Sequence, residues 1–93
     1  MYLGIQDSAR ESAIKADLAN VKTAIVAYIT QEDAVPTMAQ LDVTIDPGNY
    51  TTLPDFSAAP ATVSDPWTVS AVASNGDTFT VSDDTAPTKT VVP

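Results

Sequence analysis

From Ile5 to Val35 the chain runs without a single Gly or Pro, while Ala, Leu, Lys and Glu fill the interior. No other feature narrows the fold so far, because such a stretch is strongly biased toward one continuous helix. Ile14, Leu18, Val21, Ile25 and Tyr28 recur in steps of four, three, four and three, which keeps the other four within about 40° of Ile14 on a helical wheel. That spacing predicts an amphipathic helix with these five side chains facing the core, and Pro36 is expected to end it. Ser8 with Glu11 fits a capping box, but apolar Tyr2, Leu3 and Ile5 upstream favour a helix that simply continues through Ser8. Residues 1–35 are therefore read as helix. Glu11 and Lys15 are spaced for an (i, i+4) ion pair.

Residues 36–66 change character. Pro47, Pro54, Pro60 and Pro66 are spread through this segment, which excludes a long helix and disfavours a central strand. It is read as a Pro-rich connecting loop, with a type II turn at Asp46–Asn49 and at most a short strand at Val43 and Ile45. From Trp67 the pattern alternates. A bare Asn75-Gly76 turn would place Phe79 and Val81 under Val72 and Ser70, splitting the apolar set between two faces. A three-residue loop, Ser74 to Gly76 with Gly76 left-handed, pairs Ala71 with Phe79 and Val69 with Val81 and reunites it. The second register is the one predicted. Thr88 to Val92 then supplies a further antiparallel strand. With 93 residues the chain is read as one domain, 1–93. Its expected class is α+β, a long N-terminal amphipathic helix packed on a small antiparallel sheet of three or four strands formed by residues 67–93.

The helix face opposite the apolar stripe carries no charge. Ala9, Ser12, Ala16, Ala19, Thr23 and Ala27 lie there, whereas a helix lying on a sheet in a free monomer normally turns Lys and Glu outward. Two readings account for it. Ala is the strongest helix former and needs no partner; alternatively, small side chains let another helix approach closely.

At this point "AIKADLANVKTAIVAYITQEDAVPTMAQL" resembles the helix and post-helix signature of type IV pilins and type II secretion pseudopilins. The resemblance rests on Asp17 and Leu18, Val21 three residues on, the Ala24-to-Tyr28 step, Val35-Pro36-Thr37, and Gln40 with Leu41. It covers Ser8 to Leu41 well and the sheet only in order of elements. It implies a pilin-like, ladle-shaped subunit processed by a prepilin peptidase, inserted in the membrane before assembly, and then bundled through its N-terminal helix into an extracellular, cell-surface filament. The expected partners are copies of itself, joined through that helix in the full-length protein, and the pilus assembly machinery. The sequence departs from the pattern by lacking the apolar first half of the helix, with its cleavage site and nearby Glu. It reads as a soluble piece begun near Tyr2 and monomeric in that form, with membrane contact confined to the missing segment. The Cys pair of many pilins is also absent.

Other classes fare less well. Twelve acidic and four basic residues give a formal charge of −8, which repels phosphate backbones, so nucleic acid is not an expected partner. There is no His and no Cys, and the three glycines form no phosphate loop, so an enzyme is not expected and no cofactor is implied. Asp83 with Asp84, or Asp42 with Asp46, are candidate calcium ligands, although acidic turn residues more often solvate and start turns. Asn49-Tyr50-Thr51 satisfies a glycosylation sequon, with a turn followed by a strand start as its plainer meaning. Trp67 is read as core. The leading functional expectation is a structural subunit of a type IV pilus or related filament; the alternatives are a pseudopilin of a secretion or DNA-uptake machine and a free extracellular calcium- or glycan-binding module.

Overall fold

The computed structural model describes residues 2–41 and 43–90. Helix α1 spans Tyr2–Glu32, followed by strands β1 (Tyr50–Ala58), β2 (Thr68–Ala73), β3 (Thr78–Ser82) and β4 (Thr85–Thr90). The strands form one antiparallel sheet in the order β1-β2-β3-β4, and α1 packs across it against β3 and β4. A 31-residue helix is about 46 Å long, and the molecule's longest dimension is 47 Å. The helix thus sets the length of the whole domain.

Backbone hydrogen bonding carries α1 through Ser8, as the upstream apolar residues suggested. Its end differs from the expectation. The helix stops at Glu32 rather than at Val35, because Asp33 adopts a left-handed φ of 49° while its N–H still donates to the Ile29 carbonyl at 2.9 Å. Residues just before a proline are pushed out of the helical region, so the chain has already turned away by Pro36.

The core is one layer between helix and sheet. Ile14, Leu18, Val21 and Ile25 are 0% exposed and meet Val69, Ala71, Ala73, Phe79 and Val81 on the inner face of β2 and β3. Tyr28 is half-buried at the margin of this stripe. Trp67 is buried just before β2, with Phe56 set edge-on to it at a centroid distance of 6.3 Å.

The β2–β3 hairpin has the register that keeps the apolar set together, with Val69 opposite Val81 and Ala71 opposite Phe79. Ala73 N–H donates to the Asp77 carbonyl at 2.8 Å and Gly76 N–H to the Ala73 carbonyl at 2.9 Å, closing a three-residue loop in which Gly76 has φ 96°. This is the left-handed position a glycine fills without strain. β4 begins at Thr85, earlier than the predicted Thr88. Val91 and Val92 lie outside the described residues.

The connecting segment requires two corrections. Residues 36–66 are not all loop, since β1 occupies Tyr50–Ala58 and pairs with β2. Pro54 is tolerated because β1 is an edge strand and its pairing is irregular between Thr52 and Asp55, where no ladder N–H is demanded of the proline. Val43 and Ile45, by contrast, form no strand; they are partly buried against the core from an irregular segment. Nor is Asp46–Asn49 a type II turn. Gly48 does not have positive φ, and Pro47–Asn49 is a short 3-10 turn in which the Asp46 carboxylate accepts the Gly48 N–H at 2.9 Å. That side-chain acceptor supports the tighter helical geometry over the left-handed one.

The left-handed Asp33 sits at a helix C-terminus beside Glu32, with no basic residue in the last turn. Its charge opposes the helix dipole and its Cβ opposes the backbone conformation. Asp33→Gly is expected to stabilise the domain by about 1 kcal/mol in urea unfolding; an unchanged or lower midpoint would show that neither cost is present.

Candidate functional site

Burying Ile14, Leu18, Val21 and Ile25 fixes the rotation of α1, and the rest of the helix surface follows from it. Ala9, Ser12, Ala16, Ala19, Thr23 and Ala27 are all exposed, on the side away from the sheet. Over the 18 residues between Ala9 and Ala27 the face extends about 27 Å. Thr23 on this face and Thr30, beyond Ala27 on the same side of α1, are less polar than their composition suggests. Thr23 Oγ1 donates to the Ala19 carbonyl at 3.0 Å, and Thr30 Oγ1 donates to the Val26 carbonyl at 2.8 Å. Hydroxyls tied back to the preceding turn need no outside partner and leave the methyl groups outward. Val26, 48% exposed, borders the same face. Sequence reasoning missed it, because one apolar residue off the stripe reads as ordinary scatter.

Both flanks of α1 are tied to the sheet by polar contacts. On one side, Tyr50 at the start of β1 donates its hydroxyl to Asp17 Oδ2 at 2.6 Å in a partly buried hydrogen bond. Burial and the adjacent carboxylate both push the Tyr50 phenol well above its ordinary range. On the other side, Lys22 Nζ donates to the Thr85 carbonyl at 3.1 Å. Lys89 reaches Asp77 at 3.4 Å and Glu11 at 3.6 Å, and Glu11 also meets Lys15 at 3.2 Å. The Lys15 hydrogen bond holds the Glu11 carboxyl below its usual value, while the Asp77 hydrogen bond raises the Lys89 ammonium. These charges line the flanks and leave the far side of the helix neutral.

Charge is divided along the chain. Residues 1–31 hold three acidic and three basic side chains, whereas residues 32–93 hold nine acidic ones and Lys89. All but one unit of the net charge, that of Glu32 at the end of α1, therefore belongs to the loops and sheet. The sheet edges are guarded against pairing with another chain. β1 carries Pro54 and register shifts, and β4 carries Pro87 and Lys89, features that blunt edge-to-edge addition.

The acidic turn residues serve the chain itself. Asp83 Oδ1 accepts the Trp67 N–H at 3.3 Å and Asp84 Oδ1 accepts the Ser82 hydroxyl at 2.9 Å. Asp46 is engaged by Gly48, and Asp42 lies outside the described residues. Among the described residues no three His, Cys, Asp or Glu side chains converge as a metal would require. Asn49 is half-buried, and its carbonyl accepts the Ser74 N–H at 2.9 Å, joining the turn before β1 to the β2–β3 loop. Among the described residues no helix is long and apolar enough to cross a membrane. No protein-family model matches the chain, and no curated protein or solved structure matches it either.

The raised Tyr50 phenol has a consequence for stability. Its neutral form is favoured in the folded state, so its contribution is complete below the ordinary tyrosine value of about 10 and is lost as pH climbs through the higher folded value. Tyr50→Phe is expected to cost about 1 kcal/mol at pH 8 and to make chemical unfolding less sensitive to pH above about 10. Identical alkaline profiles for the two proteins would contradict the assignment.

Proposed function

We propose that this chain is a structural subunit of a type IV pilus or related cell-surface filament, working by helix-mediated polymerisation. The observation that carries the reading is the neutral, small-residue arc of α1 from Ala9 to Ala27, exposed along the domain's longest axis. Alanine propensity explains why each residue suits a helix, yet it does not explain why every long charged side chain of the segment is kept to the flanks. Close helix packing accounts for both, because small uncharged side chains let two backbones approach over several turns where long charged ones would hold them apart. The blocked sheet edges favour the helix over β-addition as the route to assembly. The distribution of charge agrees, since neutral helices bundled inside a filament would leave the acidic sheets facing water, where like charges are screened. The resemblance of residues 8–41 to pilins supplies the cell-surface setting and the assembly machinery as partners. A pseudopilin would use the same helix face in a shorter filament.

Replacing Ala16 and Ala19 together by Glu tests this in the producing cell. Both sites are exposed and helical, so the isolated domain should keep its unfolding free energy to within about 0.5 kcal/mol per site. Filaments counted by electron microscopy are expected to fall by an order of magnitude or more, since each subunit would bury two unpaired carboxylates. Filaments at the normal number with the doubly substituted subunit incorporated would overturn the proposal.

A further inference from the structure

Two large apolar side chains stand exposed among the described residues, Val26 at 48% and Leu53 at 52%, and they belong to opposite flanks of the molecule. Val26 lies about 120° around α1 from Ile14, next to Thr23, Ala27 and Thr30, with Lys22 one turn before it. Leu53 stands at an apolar groove of about 390 Å³, walled by Met38, Leu41, Val43, Ile45 and Pro54 over buried Val21. Gln40, Leu41, Val43 and Thr44 lie beside Ala24, which places the groove on the other side of the helix, about −80° from Ile14.

The charges at the two surfaces are opposite. Lys22 has no carboxylate within ion-pairing distance among the described residues and spends one donor on the Thr85 carbonyl. Beside the groove, Asp46 and Asp55 adjoin Pro47 and Pro54. Both are exposed, and their carboxylates accept the nearby backbone N–H groups of Gly48 and Phe56. A projecting side chain with a cation beside it therefore occupies one flank, and an apolar recess with anions beside it occupies the other.

We infer that, within the assembly proposed above, the Val26 flank of one copy seats in the Leu53 groove of the next, with Lys22 drawn toward Asp46 and Asp55. The inference rests on the self-assembly reading and specifies its contact. Because the two surfaces differ and lie on opposite flanks, the contact is head-to-tail and repeats into an open row rather than closing a pair. A symmetric meeting of two Val26 flanks would leave both grooves empty and both sets of carboxylates without a cation.

The chain has no native Cys, so single cysteines report the contact cleanly. Val26→Cys and Leu53→Cys chains, mixed at millimolar concentration and oxidised, are expected to give the mixed disulfide about tenfold over either homodimer, against the twofold excess of random collision. Lys22→Glu in the Val26→Cys chain should reduce that yield several-fold, and Asp46→Lys with Asp55→Lys in the Leu53→Cys chain should restore it. A random distribution of products, or a dominant Val26→Cys homodimer, would overturn the inference. Filament loss on changing Ala16 and Ala19 is read independently. If it occurs without the mixed disulfide, assembly through the helix stands and this contact does not.

Discussion

The rest of the molecule depends on the burial of one helical stripe against one sheet face. Ile14, Leu18, Val21 and Ile25 are completely shielded by β2 and β3, and each such side chain contributes roughly 1.5–3 kcal/mol. Because the core is a single layer, the stripe fixes several things together. It sets the rotation of α1, it selects the hairpin register that gathers Val69, Ala71, Phe79 and Val81 on one face, and it turns the opposite arc of the helix to the outside. The neutral face is a geometric consequence of the core.

Polar contacts on the flanks keep that rotation from drifting. Tyr50 grips Asp17 where the first strand begins, and Lys22 and Lys89 hold the other side to the last strand and the hairpin loop. The lysine contacts are surface interactions of small individual worth. Their value is positional, since they absorb the charges of α1 close to the sheet. A sheet with proline in both edge strands then offers little for strand addition, leaving the outward arc of the helix as an extended uncharged surface.

The elements most legible in the sequence were those governed by a single period. The helix and its buried residues followed from a repeat of 3.6, and the hairpin register from the need to keep one apolar face intact. What escaped depends on contacts remote in sequence or on one side chain acting locally. The prolines at 47 and 54 argued against a central strand but said nothing about an edge strand, so β1 was hidden. The Asp46 carboxylate decided the turn at Pro47. The left-handed Asp33 carries no signal as loud as the proline after it. The Tyr50–Asp17 bond spans 33 residues, beyond any local pattern. For the candidate face, its small residues were visible from the start, whereas the part of Val26 and the groove at Leu53 needed three dimensions.

A surface shaped in this way is suited to being covered over its length by something equally smooth, and a second copy of the same rod is the simplest object that fits. Cysteine accessibility in the proposed filament tests that claim most directly, with maleimide reacting at Ala16→Cys and Ala19→Cys on α1 and at Thr80→Cys on the sheet. The two helix positions are expected to react readily in the dispersed chain and to be shielded in the filament while position 80 stays reactive. Helix positions that label equally fast in both states, with the sheet position protected instead, would contradict it.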